Sequence, residues 1–249
     1  MKKTALSIAV GMVLGVASMA TYAATVNTND QLTITAGVNG TNSSGATIVK
    51  SGSYFAMDNN KDSIIQGTEK DALSQGTTGL VIGVTTAQGA SHSGVPVAGD
   101  TNAIDAPWAF FGNTGSDYVP KISVTGSTTN GLNLSGWTVT WNGIAAINMG
   151  GGAWQPLNCS ALGCTGHTFT NGNAMFTWDG VYGDAYTLNY AATVPAGDPS
   201  GFGGVQYFLH LTGVVNQGAP APVPLPAAVW LLGSGLIGLV GVSRRKRSN

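Results

Sequence analysis

Tyr186-Thr187-Leu188-Asn189-Tyr190-Ala191-Ala192-Thr193-Val194, followed by the run PAGDPSGFGG at 195–204 and then Val205-Gln206-Tyr207-Phe208-Leu209-His210-Leu211, is the stretch that decides the fold. Tyr186, Leu188, Tyr190, Ala192 and Val194 occupy alternate positions, and so do Val205, Tyr207, Leu209 and Leu211. A strand turns successive side chains to opposite faces, so each run reads as a half-buried strand, and the Gly- and Pro-rich run between them reads as the turn. His210 lies on the face opposite Leu209 and Leu211, where a solvated histidine is expected.

The same period of two recurs at Leu32, Ile34, Ala36 and Val38, at Ile122 and Val124, and at Trp137, Val139 and Trp141. Outside the two ends no stretch has a long helical period. The expected fold class is therefore all-β: an antiparallel β-sandwich or jelly-roll-like domain over residues 24–217, with about ten strands. One irregular insertion is expected at 51–78. A Pro- and Ala-rich linker follows at 218–226.

Charge is scarce and unevenly placed. Only 8% of the 249 residues are charged, against about 25% in an ordinary domain. Lys2 and Lys3 open the chain, Arg244, Arg245, Lys246 and Arg247 nearly close it, and all eleven acids lie between. With the two basic ends set aside, four lysines face eleven acids, a net of −7. A nucleic-acid partner is excluded on this ground, because phosphate binding needs clustered Lys and Arg.

The two ends read as addresses. Lys2 and Lys3, an apolar stretch from Ala5 to Ala20 and the small-x-small triplet Thr21-Tyr22-Ala23 describe a signal peptide over 1–23, to be cut by signal peptidase. At the other end, 227–249 combines a transmembrane helix with a basic tail. Its uncharged part, 227–243 (AAVWLLGSGLIGLVGVS), spans roughly 26 Å as a helix, just enough for a bilayer core. The basic cluster that follows would act as a membrane stop on the cytoplasmic side.

Val223-Pro224-Leu225-Pro226-Ala227, the Gly-containing apolar helix and the terminal basic cluster together resemble the sorting signal of PEP-CTERM proteins in its VPLPA variant. The resemblance covers about the last 27 residues. It implies a transient stay in the inner membrane and recognition by an exosortase-type protease. Delivery to the outer surface or extracellular matrix of a Gram-negative bacterium would follow. Val-Pro-Leu-Pro stands where the family's namesake has Pro-Glu-Pro.

Cys159 and Cys164, the only cysteines, sit in the polar run NCSALGCTG. In an exported chain a pair this close suits a disulfide pinning a loop tip; no second pair offers a zinc site, and the spacing is not C-x-x-C. Residues 58–69 resemble an EF-hand calcium loop. Asp58, Asn60 and Asp62 fall at positions 1, 3 and 5, the Ile64 carbonyl at 7, Gln66 at 9 and Glu69, the chain's only glutamate, at 12. Ile65 at position 8 is expected to pack inward. Ser63 replaces the glycine of position 6, and Gly52 leaves room for little incoming helix before Asp58, so a lone loop followed by a short helix from Glu69 to Leu73 is expected. Such a loop implies weak, structural Ca2+ binding on the order of 0.1 to 1 mM. The plain alternative is a polar turn built from aspartates.

No catalytic set stands out. His92, His167 and His210 are the only histidines, and one glutamate cannot supply H-E-x-x-H. Asp179 and Asp184 could form a glycosidase pair, though spacing alone does not select them. Trp108, Trp137, Trp141, Trp154 and Trp178 could stack on sugars, with Trp154 the best candidate for an exposed ring and Trp137 and Trp141 expected in the core with Val139. The sequence therefore reads as a non-enzymatic exported protein with structural calcium. A carbohydrate-binding or adhesive module of the exopolysaccharide matrix is the alternative, and an undetected hydrolase comes third.

Overall fold

The alternating run around 186–211 forms the centre of the molecule. The computed structural model describes residues 23–27, 29–73, 80–81, 104–110, 113–120, 126–135, 137–141, 144–170 and 172–218. The signal peptide through Tyr22, the sorting motif at 223–227, the apolar segment at 227–243 and the basic cluster at 244–247 lie outside the described residues, as do His92, Ile122 and Val124.

In chain order the elements are β1 (Gln31–Leu32), β2 (Val38–Thr41), β3 (Thr47–Ser51), β4 (Tyr54–Met57), a 3-10 turn (Gly67–Glu69), β5 (Lys70–Ala72), β6 (Leu80–Val81) and β7 (Ile104–Phe110). Then come β8 (Asn113–Pro120), β9 (Gly126–Ser127), β10 (Gly131–Asn133), β11 (Trp137–Trp141), β12 (Ile144–Asn148), the single-turn helix α1 (Cys159–Leu162), β13 (Asn173–Thr177), β14 (Ala185–Thr193) and β15 (Gln206–Asn216). The chain is thus all-β with antiparallel pairing. Its described residues form more strands than the roughly ten expected.

Strands β14 and β15 form the expected hairpin, paired from Ala185↔Val214 to Thr193↔Gln206. Val194 and the turn close it: Val194 N–H donates to Val205 O at 2.9 Å and Gly204 N–H to Val194 O at 2.8 Å. The main sheet runs β5-β4-β15-β14-β13-β10-β9, and β1, itself joined to β6, pairs with the far end of β15. A second sheet has the order β12-β11-β8-β7, and β2-β3 is a separate ribbon. Gly213 has to be glycine, because a Cβ there would overlap the carbonyl oxygen of Thr33 on the neighbouring chain segment.

One face of the main sheet carries the side chains that alternation assigns to the core. Leu188, Tyr190, Tyr207, Leu209 and Leu211 are wholly buried, and Trp137 from β11 packs on Tyr190 and Tyr207 with ring centroids 6.1 and 6.3 Å away. The Tyr186 hydroxyl donates to Thr33 O at 2.8 Å, while Tyr190 and Tyr207 both donate to Met149 O. Each such aromatic contributes about 2 to 3 kcal/mol of burial.

The opposite face is also covered. Tyr54, Ala56, Ala191 and Phe208 project from it and pack beneath Trp154, Leu162, Cys164 and Phe169. Phe169 meets Phe208 edge-on at 6.3 Å. The central strands are therefore buried on both faces, which strict alternation concealed: Ala191 and Phe208, on the nominally outer face, have no exposed surface.

Three further expectations change. The irregular insertion expected at 51–78 contains two strands of the main sheet among its described residues: β4 pairs with β15 through Tyr207↔Met57 to His210↔Tyr54, and β5 pairs with β4. The helix expected from Glu69 to Leu73 is strand β5 preceded by a single 3-10 turn, because the sheet offers Lys70, Asp71 and Ala72 ladder partners on β4. The alternation from Leu32 to Val38 is broken between sheets: Leu32 and Ile34 are buried, whereas Val38 is more than half exposed in the ribbon.

Candidate functional site

The loop at 58–69 is the connection of the β4–β5 hairpin. Asp58 follows β4 directly and anchors there through its N–H to Gln206 O at 3.0 Å; Glu69 precedes β5 directly. The two acids that open and close the calcium-like pattern thus stand at adjacent strand ends, and both are buried, Asp58 to 5% exposure and Glu69 to 9%. Among the described residues neither is paired with a Lys or Arg.

Backbone N–H groups satisfy them instead. The Asp58 carboxylate accepts from Asp62 N at 3.2 Å and Ser63 N at 2.8 Å, and the Glu69 carboxylate accepts from Asn59 N at 2.9 Å and Gln66 N at 2.8 Å. Asp62 accepts from Ile64 N at 2.8 Å and from the side-chain amides of Asn60 and Gln66 at 2.9 and 3.1 Å. The tight coil needs Lys61 at φ 61° and Ser63 at φ 62°. Ser63 therefore occupies the left-handed conformation that the motif normally assigns to glycine. Ile65 packs inward as expected, at 3% exposure.

The donor set is all oxygen, which suits a hard cation such as calcium. Among the described residues, however, no three acidic, histidine or cysteine groups converge on one point. The carboxylates hold backbone N–H groups, and the Asn60 and Gln66 amides present nitrogen to Asp62. Ligation would require both amides to turn their oxygens inward. A hollow of about 350 Å³ lies beside the loop, bordered by Asp58, Asn59, Lys61 and Gln206.

The loop is docked on the cysteine-bearing segment. Leu157 N–H donates to Ser63 O at 2.8 Å, Ile65 N–H donates to Asn158 Oδ1 at 3.2 Å, and Asn158 Nδ2 donates to Ile65 O at 2.9 Å. Cys159 and Cys164 form the expected disulfide, with Cα atoms 4.7 Å apart and Gly163 at φ 73° between them. No motif marked Asn158 in the sequence; only a pairing across 93 positions reveals it.

Other candidates are placed differently from expectation. Trp154, expected as an exposed ring for glycan contact, is 7% exposed and forms part of the cover over the second sheet face, because β14 and β15 present apolar side chains there too. Trp137 lies in the core as expected and Trp178 is also buried; the side chains of Trp108, Trp141 and Val139 lie outside the described residues. His210 is on the face opposite Leu209 and Leu211 but is partly buried there: its ring stacks on Tyr54 at 4.9 Å, and Nδ1 lies 2.6 Å from Asn189 Oδ1. Burial, with the nearby Lys70 charge, pushes its pKa down to about 4.

Asp179 and Asp184 do come together. The neighbouring Asp179 carboxylate raises the Asp184 pKa. No family model, no curated protein and no solved structure matches the chain, and the functional reading rests on its own residues.

Proposed function

We propose that this chain is an exported, non-enzymatic β-sandwich protein, sorted through a PEP-CTERM-type signal to the outer surface or matrix of a Gram-negative bacterium, with calcium as a structural ion in the 58–69 loop. In this reading the β12-β11-β8-β7 sheet covers one face of the main sheet, with Trp137 at the junction. The observation that carries the calcium reading is the pair of buried carboxylates at the root of the hairpin, Asp58 and Glu69, held by backbone N–H groups and, among the described residues, without a basic partner. Asp58, Asn60, Asp62, Gln66 and Glu69, with the Ile64 carbonyl, would hold the ion. It supplies positive charge that joins the end of β4 to the start of β5. The sorting reading is supported by the order of sequence features at 223–249.

Titration of calcium into the intact, chelator-stripped chain tests the first part. At an affinity near 0.5 mM, 10 mM calcium should stabilise by about 2 kcal/mol and raise the melting temperature by about 5 °C. Absent calcium heat together with a melting temperature indifferent to chelation would reduce the loop to a turn. For the second part, deleting an exosortase in the producing cell should strand full-length protein in the inner membrane; continued release of processed protein would overturn that route.

A glycan-binding reading is favoured only by the hollow that Met57, Asn59, Lys61, Val205 and Gln206 line with mixed polar and apolar groups, since Trp137, Trp154 and Trp178 offer no exposed platform. Retention by polysaccharide in affinity electrophoresis, lost in Gln206→Ala, would support it.

A further inference from the structure

Asn158 engages both backbone groups of Ile65 at once, its Oδ1 accepting from the N–H and its Nδ2 donating to the carbonyl, as a neighbouring strand would. One position before Asn158, Leu157 N–H holds the carbonyl of Ser63, two positions before Ile65. Ser63 and Ile65 are loop positions 6 and 8, so the Ile64 peptide, whose carbonyl is the backbone ligand of the pattern, is anchored on both sides. Behind Asn158 the support is covalent. Its carbonyl accepts Ala161 N at 2.9 Å and Leu162 N at 3.2 Å, forming the turn of α1 that the Cys159–Cys164 bond closes. Leu162 and Cys164 then pack in one apolar cluster with Ile65, Trp154 and Phe169.

We infer that the disulfide-closed segment is a built-in docking partner for the cation loop and that Asn158 is its positioning residue, so that calcium binding and the order of residues 157–164 form one coupled equilibrium. A lone loop must order itself around an ion and loses affinity for it; a loop already braced at positions 6 and 8 has less freedom to lose. Coupling of this kind is reciprocal: whatever factor the brace adds to calcium affinity, calcium returns to the stability of the brace. The inference rests on the calcium reading given above.

Calcium titration of the intact chain, with amide hydrogen exchange read at Ala161, Leu162 and Cys164, tests it. Asn158→Ala should weaken binding about tenfold, within the usual range of such couplings, and the Cys159→Ser/Cys164→Ser double substitution should shift it in the same direction. In the wild type, calcium should slow exchange at the three amides; in Asn158→Ala it should not. If Asn158→Ala does not fold, Asn158→Asp keeps an acceptor for Ile65 N–H, removes the donor to Ile65 O and should give a smaller loss. A wild type that binds calcium while the variants bind equally well, or whose exchange at 161–164 ignores calcium, overturns the coupling alone. A wild type without calcium heat overturns the cation reading and the coupling together.

Discussion

At the level of single residues, Ser63 shows what the sequence could and could not disclose. The ligand pattern and the departure at position 6 were both legible, and the φ of 62° shows that the chain adopts the glycine conformation there without the glycine. Ser63→Gly should therefore stabilise the chain by about 0.5 to 1 kcal/mol, since it relieves left-handed strain and keeps the N–H that Asp58 accepts. Urea unfolding in chelator measures this. His210 was misread because its environment is made by Tyr54, Asn189 and Lys70, which no local pattern brings to it. Asn189 donates its amide to Gly163 O at 3.1 Å, which leaves Oδ1 for the imidazole N–H. With a folded pKa of about 4 against about 6.5 unfolded, the histidine stays neutral in the fold while the unfolded chain takes up the proton first. Stability is thus fully present above pH 6.5 and falls as pH drops towards 4, by about 3 kcal/mol at most. Unfolding curves at pH 7, 5.5 and 4 should show this slope, and His210→Asn should flatten it.

At the level of elements, the hairpin β4–β5 and the segment over the second sheet face account for most of what periodicity missed. A four-residue strand such as Tyr-Phe-Ala-Met is apolar on both sides and carries no period-two signature, so β4 read as part of an irregular insertion. Trp154 follows Ala153 and the three glycines at 150–152, which suggested exposure; Ala191 and Phe208 on the sheet give it a reason to be buried. Trp154→Ala should cost about 3 to 5 kcal/mol, in the range for a buried aromatic. Trp154→Phe should cost much less, because the indole N–H has no hydrogen-bond partner among the described residues to lose. Thermal melts of the two variants separate these outcomes. If Trp154→Ala left stability unchanged, the ring would have to be a surface group after all. The disulfide was legible from spacing, but its place in the cover of a sheet face was not. Its removal should cost about 2 kcal/mol without unfolding the domain.

Across the whole molecule, the all-β class followed directly from alternation in β14 and β15, because the longest strands carry the clearest pattern. The sheet order did not follow from it. The last strand of the body, β15, is central, with β14 along one side and β4 and β1 along the other, so the first and last strands meet at Gln31↔Asn216. Such long-range pairings leave no trace in local sequence and make folding slow relative to helical proteins. A chain truncated before β15 should consequently not fold at all, as judged by far-ultraviolet circular dichroism and protease resistance. Loss of a single edge strand such as β9 should be tolerated far better. That topology also sets a timetable. For a chain threaded amino end first through a membrane, as the proposed export requires, β1 and β4 wait for their partner β15 until residues 206–216 have crossed. The protein therefore completes its main sheet only after β15 has crossed, and the stretch that must stay soluble meanwhile is the glycine-rich, sparsely charged body itself.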